Sequence, residues 1–459
     1  MTKLHFMIIR KDRLAAVKHW LQRAFPGVFR VGEDRIAEDP LLSDEQMAIY
    51  RALESSESHA FITGKAGTGK SVVLRYFASH TKKVVVKVAP TGISALAVQG
   101  QTIHSLFRLS TGVLDPRSIQ VSSETEEILR HVDVIVIDEI SMVRADTIDA
   151  IDRILRISKA NQLPFGGTQM VMFGDVYQLP PVAVGLRLQN YFRAKYGGAY
   201  FFNAHVWKKT ELTTYELQTV FRQADESFRD LLNEVRNGSY TKKTLTTLNS
   251  RVAALSDTPT DTIILTSTNK AAQEINEERL SRLRGKTKSY SAVTTGNVPI
   301  GTLPTEKKLK LRIGAQVVFI KNDPDKNWVN GTMGVVKVLK KDYIRVACGK
   351  AVYDVVPVTW EQSAYSYDEE LEVMRQEVTG TFTQLPIKLA WAITIHKSQG
   401  CSYDKVVIDL RRGAFAHGQA YVALSRCRSL AGLYLLGRIK PQDILIDPTV
   451  TKFMAQNNP

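Results

Sequence analysis

At 459 residues the chain exceeds one ordinary hydrophobic core, and about 150 residues per domain gives roughly three units. Hydrophobic residues at 44% and charged residues at 23% exclude a disordered or low-complexity chain, and no apolar run approaches the ~18 residues of a membrane-spanning helix. Lys and Arg number 61 against 46 Asp and Glu, a net charge of +15 that favours a polyanionic partner, nucleic acid above all; plain solubility is the bland alternative.

Residues 1–40 read as a basic extension. In the first 30 residues Lys3, Arg10, Lys11, Arg13, Lys18, Arg23 and Arg30 face one acid, Asp12, and Leu14, Val17, Trp20 and Leu21 recur at helical spacing. Ser, a mark of organelle transit peptides, is missing from the first 30 residues, so an arm that packs on the body or touches DNA is expected, with organelle targeting as the alternative. Cys348, Cys401 and Cys427 have neither disulfide-framework nor zinc-ligand spacing. With no export signal, the expected setting is the cytoplasm of a bacterial or phage-infected cell.

From residue 41 short apolar runs alternate with helical patterns. Ala60 to Ile62, Val84 to Val88, Val134 to Ile137 and Met170 to Phe173 read as buried parallel strands. A second series, Ile263 to Leu265, Val406 to Ile408 and Leu433 to Leu436, predicts a second α/β unit. The expected boundaries are 41–210 for the first unit and 211–290 with 385–459 for the second. Residues 291–384, with Gln316 to Ile320, Gly334 to Val338 and Tyr343 to Ala347 divided by turn signals such as Asn330-Gly331, describe an inserted β-barrel-like domain. Its Lys307, Lys308, Lys310, Arg312, Lys321 and Lys326 fit either a cover over a nucleic-acid track or a solvated basic face.

Gly64-Lys65-Ala66-Gly67-Thr68-Gly69-Lys70-Ser71 fits the phosphate-binding loop G-x-x-x-x-G-K-[ST], after a strand and before a helix. The glycines let backbone N–H groups close around phosphate oxygens of ATP, Lys70 neutralises the β/γ-phosphates, and the Ser71 hydroxyl ligates Mg2+. Asp138-Glu139 ends the strand Val134 to Ile137. Asp138 is the second metal candidate and Glu139 the base for an attacking water, with a helix N-cap by Asp138 as the structural alternative. In Gly174-Asp175-Val176-Tyr177-Gln178-Leu179-Pro180-Pro181, an amide at Gln178 can sense the γ-phosphate, a plain turn being the alternative. Arg222 and Arg426 are the candidate arginine fingers, each also readable as a surface charge.

Together these segments resemble superfamily 1 helicases, and within them the PIF (petite integration frequency) DNA helicases, relatives of the RecD-type enzymes. The likeness runs over residues 40–440 in unbroken motif order. Leu42 to Gln46 is similar to the motif whose Gln46 reads adenine. Ala89 to Ala95 and Thr102 to Phe107 resemble the DNA-gripping motifs, Ser141 to Arg156 and Pro164 to Gln169 the family signature, Ala392 to Gly400 the coupling motif, and Tyr421 to Arg426 the last helicase motif. The resemblance implies two tandem RecA-like P-loop NTPase domains, α/β in class, with an SH3-like insertion in the second.

It further implies an ATP-dependent DNA helicase moving 5′-to-3′ in replication, repair, recombination or telomere maintenance. Nucleotide contacts would come from Gln46, Gly64, Ala66, Gly67, Thr68, Gly69, Lys70, Ser71, Gln399 and Gly400. DNA contacts would come from Pro90, Thr91, Thr102, His104, Phe107, Thr394 and His396, core packing being the alternative for Phe107. The family places a strand-separating wedge at 108–131, where this chain has no pattern of its own. The implied partners are single-stranded and forked DNA, with G-quadruplex DNA as a further candidate, engaged by a monomer without a membrane. A translocase that remodels nucleoprotein without processive unwinding is the competing reading, and an NTPase switch unrelated to nucleic acid is a third.

Overall fold

The computed structural model describes residues 41–457, apart from 111, 184, 224, 260–261, 299–302, 326, 329–330 and 369–372. The basic extension 1–40 and Lys326 lie outside the described residues. Strands β1 (His59–Gly64), β2 (Val85–Ala89), β3 (Gln101–Thr102), β4 (Val134–Ile137), β5 (Gln169–Phe173) and β6 (Leu212–Leu217) form one sheet. Its order is β3-β2-β4-β5-β1-β6, and every neighbouring pair is parallel.

Central strands need apolar residues at every position because both faces are covered. Phe61, Ile135, Ile137, Met170 and Met172 enter the core on one face, and Ala60, Ile62, Val134, Val136, Val171 and Phe173 enter the core on the other. Ile62 pairs with Phe173 and Ile137 with Met172, so β1, β4 and β5 end near one level. The loops that follow therefore share one edge of the sheet, where ligands of open parallel sheets bind.

The second unit opens with the helices Glu226–Asn237 and Lys242–Asn249, which share its core, and continues through β7 (Ile263–Thr266) and the helix Asn269–Arg282, after which the insertion begins. Its strands are β8 (Lys288–Ser291), β9 (Val293–Gly296), β10 (Lys308–Leu311), β11 (Gln316–Phe319) and β12 (Met333–Leu339). β13 (Ile344–Cys348), β14 (Ala351–Val355), β15 (Val358–Asp368), β16 (Val373–Gln384) and β17 (Ile387–Leu389) complete it. They pair antiparallel as β14-β13-β12-β11-β17, β15-β16-β9 and β10-β8. Leu309, Leu311, Val317, Phe319, Val336 and Val346 share its core. The chain returns to the second sheet with β18 (Ala392–Thr394), β19 (Val406–Asp409) and β20 (Leu433–Leu435), parallel in the order β18-β7-β19-β20.

Three boundaries differ from expectation. The first sheet runs on to Leu217, past residue 210, because β6 is an edge strand. Leu212-Thr213-Thr214-Tyr215-Glu216-Leu217 buries only its last residue, so no apolar run marks it. The insertion spans Lys288 to Leu389 rather than 291–384, since β8 and β17 pair within it. The helix Pro448–Gln456, expected in the second unit, crosses back to the first. Its Val450, Phe453 and Met454 join the first core, and the Phe453 ring stacks on Phe202 at 4.1 Å. Residues 108–131, the expected wedge, hold the helix Ser123–Arg130, whose Ile128 and Leu129 are also first-core residues.

No helix among the described residues is long and apolar enough to cross a membrane. Phe453→Ala removes a ring that also touches Phe61, Phe201 and Trp207. A loss of about 3–5 kcal/mol is expected, read as an earlier first transition in urea unfolding.

Candidate active site

The loop after β1 turns through Gly64, Gly67 and Gly69, all at positive φ, before the helix Lys70–His80 begins. At Gly67 (φ +88°) an added Cβ would stand 2.5 Å from Arg222 Cβ, so only glycine lets residue 222 lie against the loop. The Lys70 ammonium donates to Gly64 O at 2.7 Å and Lys65 O at 3.1 Å. Burial lowers its pKa, opposed by Asp175 and Glu139. Gln46 donates to Thr68 O at 3.3 Å and closes a capping box with Ser43, which places it beside the loop and also gives it a structural duty. Ala66 and Thr68 are buried and Ser71 is exposed on the first helical turn.

Asp138 and Glu139 follow β4. Glu139 takes a left-handed backbone (φ 51°), a conformation that costs a non-glycine residue about 1–3 kcal/mol and aims it away from the strand direction. Burial raises the Glu139 pKa, with Lys70 and Arg426 opposing. Burial and then the Glu139 charge push Asp138 up to about 7. Asp138 and Ser71 form an all-oxygen donor pair that suits a hard divalent cation completed by water and phosphate oxygens. Gln178, 6% exposed, donates its amide to Asp175 Oδ2 at 3.3 Å.

Both candidate fingers reach this place by different routes. Arg222, expected on the second unit, lies in the connector between β6 and the helix Glu226–Asn237; its Nη1 donates to Ser425 O of the second unit at 3.5 Å, and the neighbouring Phe221 N–H donates to Gly67 O at 2.9 Å. Burial, then Arg426, pushes the Arg222 pKa down to about 9. Arg426 is buried in the second unit, where it donates to Val422 O, Ser398 O, Cys401 O and Ser425 Oγ at 2.9–3.4 Å. It thereby holds the segment carrying Gln399 and Gly400. Gln399 Nε2 is buried with no acceptor among the described residues, as a donor reserved for a ligand would be.

Two further seam residues were not among the expected site residues. Tyr421 Oη accepts the Ala66 N–H at 2.9 Å, tying the second unit to the phosphate loop. Arg236 pairs with Asp175 at 3.0 Å. Tyr421 opens the last helicase motif but had no role of its own there, and Arg236 carries no motif signature, because each acts through a partner remote in sequence.

The candidate DNA contacts divide. Pro90, Thr91, Thr102, His104 and His396 are half-buried. Thr91 and Thr102 cap the helices Gly92–Ala97 and Ile103–Leu106, accepting from Ser94 N–H and Ser105 N–H. Burial lowers the pKa of both His104 and His396. Phe107 is 2% exposed inside the first core, so its ring has no free face for a base, which corrects that expectation. Thr394 is 3% exposed and accepts Lys397 N–H at 3.4 Å, closing a turn instead of facing a strand of DNA. The signature helix Ala145–Ser158 is scaffold. Asp149 accepts His205 and Val206 N–H, and Asp152 accepts Phe165 N–H at the left-handed Phe165-Gly166 turn.

Glu139→Gln is expected to leave nucleotide affinity within about threefold while cutting turnover about 10²–10⁴-fold. Steady-state hydrolysis beside a fluorescent-nucleotide titration checks this, and near-normal turnover removes Glu139 as the base. Gly67→Ala strains the loop by about 1–3 kcal/mol and should weaken nucleotide binding about 5- to 100-fold in the same titration.

The profile of PIF1-like helicases matches residues 41–246. ATP-dependent DNA helicase PIF1 of Homo sapiens is 35% identical over 434 residues, 91% of this chain; the chain spans 64% of that relative's length. ATP-dependent DNA helicase Pif1 of Bdellovibrio bacteriovorus is 34% identical over 428 residues, 90% of this chain and 92% of the relative. Pif1 from Bacteroides sp., 35% identical, covers 91% of this chain and 97% of its own. It superposes with a TM-score of 0.84 in complex with ADP-AlF4 and 0.67 when bound to ssDNA. The two parallel sheets are thus RecA-like domains, and the chain belongs to the PIF1-like helicase family.

Proposed function

We propose that the chain is an ATP-dependent DNA helicase that moves 5′-to-3′ along single-stranded DNA and opens forked duplex as a monomer. The observation that carries this reading is the seam. The phosphate loop of one RecA-like domain is contacted by Arg222 at Gly67 and by Tyr421 of the other domain at Ala66, so a nucleotide held there would be felt by both. Relatives named ATP-dependent DNA helicases, and a Bacteroides structure bound to ssDNA, support the substrate class.

In this reading the amides of 64–71 hold the phosphates of ATP, and Ser71 and Asp138 hold Mg2+, which supplies charge neutralisation at the β/γ-phosphates. Glu139 accepts a proton from the attacking water. Lys70, Arg222 and Arg426 offset charge developing on the transferred phosphoryl group. Gln399 donates its unpartnered amide to the nucleotide, and Gln46 reads the base. Thr91, Thr102, His104 and His396 sit where two half-buried helix starts and a turn offer hydroxyls and imidazoles to a DNA backbone. The exposed Lys307, Lys308 and Lys310 of the SH3-like insertion add long-range attraction, whereas Arg312 is committed to Ser281 O and Leu283 O and Lys321 to Thr359 O.

Forked duplexes with either overhang, supplied with ATP and Mg2+, test this. Unwinding confined to the 5′-tailed fork is expected, and ATP turnover stimulated by oligonucleotide without strand separation would instead favour a nucleoprotein remodeller. Arg222→Ala should lower DNA-stimulated kcat about 10³-fold with nucleotide affinity nearly kept, as loss of an arginine finger does. An equal loss in kcat and affinity would make it a binding residue instead.

A further inference from the structure

The loop from Asp175 to Leu179 belongs to the first RecA-like domain, yet the second domain grips it at several points. Asp175 is fully buried. Its Oδ1 accepts Tyr177 N–H at 3.1 Å and Arg236 Nη2 at 3.0 Å, and its Oδ2 accepts Gln178 Nε2 at 3.3 Å and Arg236 Nε at 3.4 Å. Arg236 projects from the helix Glu226–Asn237, whose Phe228, Leu232 and Val235 are second-domain core. Its guanidinium also lies 4.2 Å from the centre of the Tyr177 ring. His417 Nε2 meets Val176 O at 3.0 Å, and because Nδ1 accepts Asp447 N–H at 2.9 Å, Nε2 is the donor. Gly418 presses so closely on the carbonyls of Tyr177 and Gln178 that a Cβ there would overlap them.

Arg236 and Asp175 are not needed to hold phosphate, since the 64–71 loop does that. A planar fork that occupies both oxygens of one carboxylate fixes that carboxylate in rotation as well as position, which a point charge does not. Asp175 in turn is the only side-chain acceptor that the Gln178 amide has among the described residues. We infer that Arg236 is a positioning residue for hydrolysis, holding the Gln178 amide in place through Asp175, so that movement of the second domain is transmitted to the γ-phosphate sensor. This rests on the reading of Gln178 as that sensor.

Burial alone would raise the Asp175 carboxyl, but Arg236 and Lys70 outweigh it and keep it ionised below the usual range. The pair is therefore a standing ion pair, and its effect on catalysis is geometric. Removing one partner would strand a buried charge and threaten the fold. The test accordingly uses Arg236→Lys, which keeps the charge without the fork, and the double substitution D175N/R236Q, which keeps an amide pair without charge.

In the full-length chain with saturating single-stranded DNA, both are expected to lose about 10- to 100-fold in kcat while KM for ATP moves less than about threefold. Rates without DNA are recorded in parallel, so that a lack of stimulation would count against translocation only. The deciding comparison is Arg236→Lys in a Gln178→Ala background. If Arg236 acts through Gln178, it costs little further kcat there. A full, additive loss overturns the inference, and so does wild-type kcat in either pair variant. A fall in kcat that tracks KM and the unfolding temperature overturns it as well, because the pair would then be structural cement. Unchanged kcat in Gln178→Ala alone would strike the sensor reading itself, a result separate from additivity.

Discussion

Charge taken out of water at the meeting of two domains is the constraint on which the rest of this structure depends. Lys70, Arg222, Arg236 and Arg426 lie among Asp138, Glu139 and Asp175, and burial acts on each against its charged form. Only Asp175 and Arg236 hold an ion pair good enough to reverse the sign, and both keep their charge more firmly than in water. The others wait in a state that a polyphosphate would improve for the cations and that a reacting water would improve for Glu139. Such a cluster is poorly stabilising by itself. It is tolerated because the apolar cores behind it, two faces per sheet, carry the folding free energy.

The parallel sheets serve this cluster by setting levels. A shared register ends β1, β4 and β5 together, so that a loop, a carboxylate pair and the Asp175 segment open on one edge. Tyr421 and Arg236 approach that edge from the other domain, one onto the loop and one onto the third segment. Contact at two separate points lets rotation of one domain against the other change their relation to the phosphate site in different ways. Closure and opening are then readable as geometry at a few hydrogen bonds.

How far this was legible beforehand follows the physics of each signal. The phosphate loop announces itself because tight turns and close approach to phosphate demand glycine at fixed spacing, and buried central strands because nothing polar is affordable there. β6 was silent, as an edge strand needs no apolar run. Phe107 stayed open between base packing and core packing because a lone aromatic does not declare which way it points, and the structure buries it. Arg222 falls on the connector after β6, where no apolar run marks the passage from one domain to the next. Arg236 stood in no motif and Tyr421 in one without a role of its own, since a charge or a phenol becomes functional only beside a partner some sixty or several hundred positions away.

The return of the helix Pro448–Gln456 to the first domain has a consequence for biosynthesis. Phe453 fills a place among Phe61, Phe201, Phe202 and Trp207, residues translated hundreds of codons earlier. The first half of the polypeptide therefore leaves the ribosome with an open aromatic notch and keeps it until residues 448–456 have been made. Until then the notch is uncovered apolar surface, of the kind that makes partly folded chains adhere to one another.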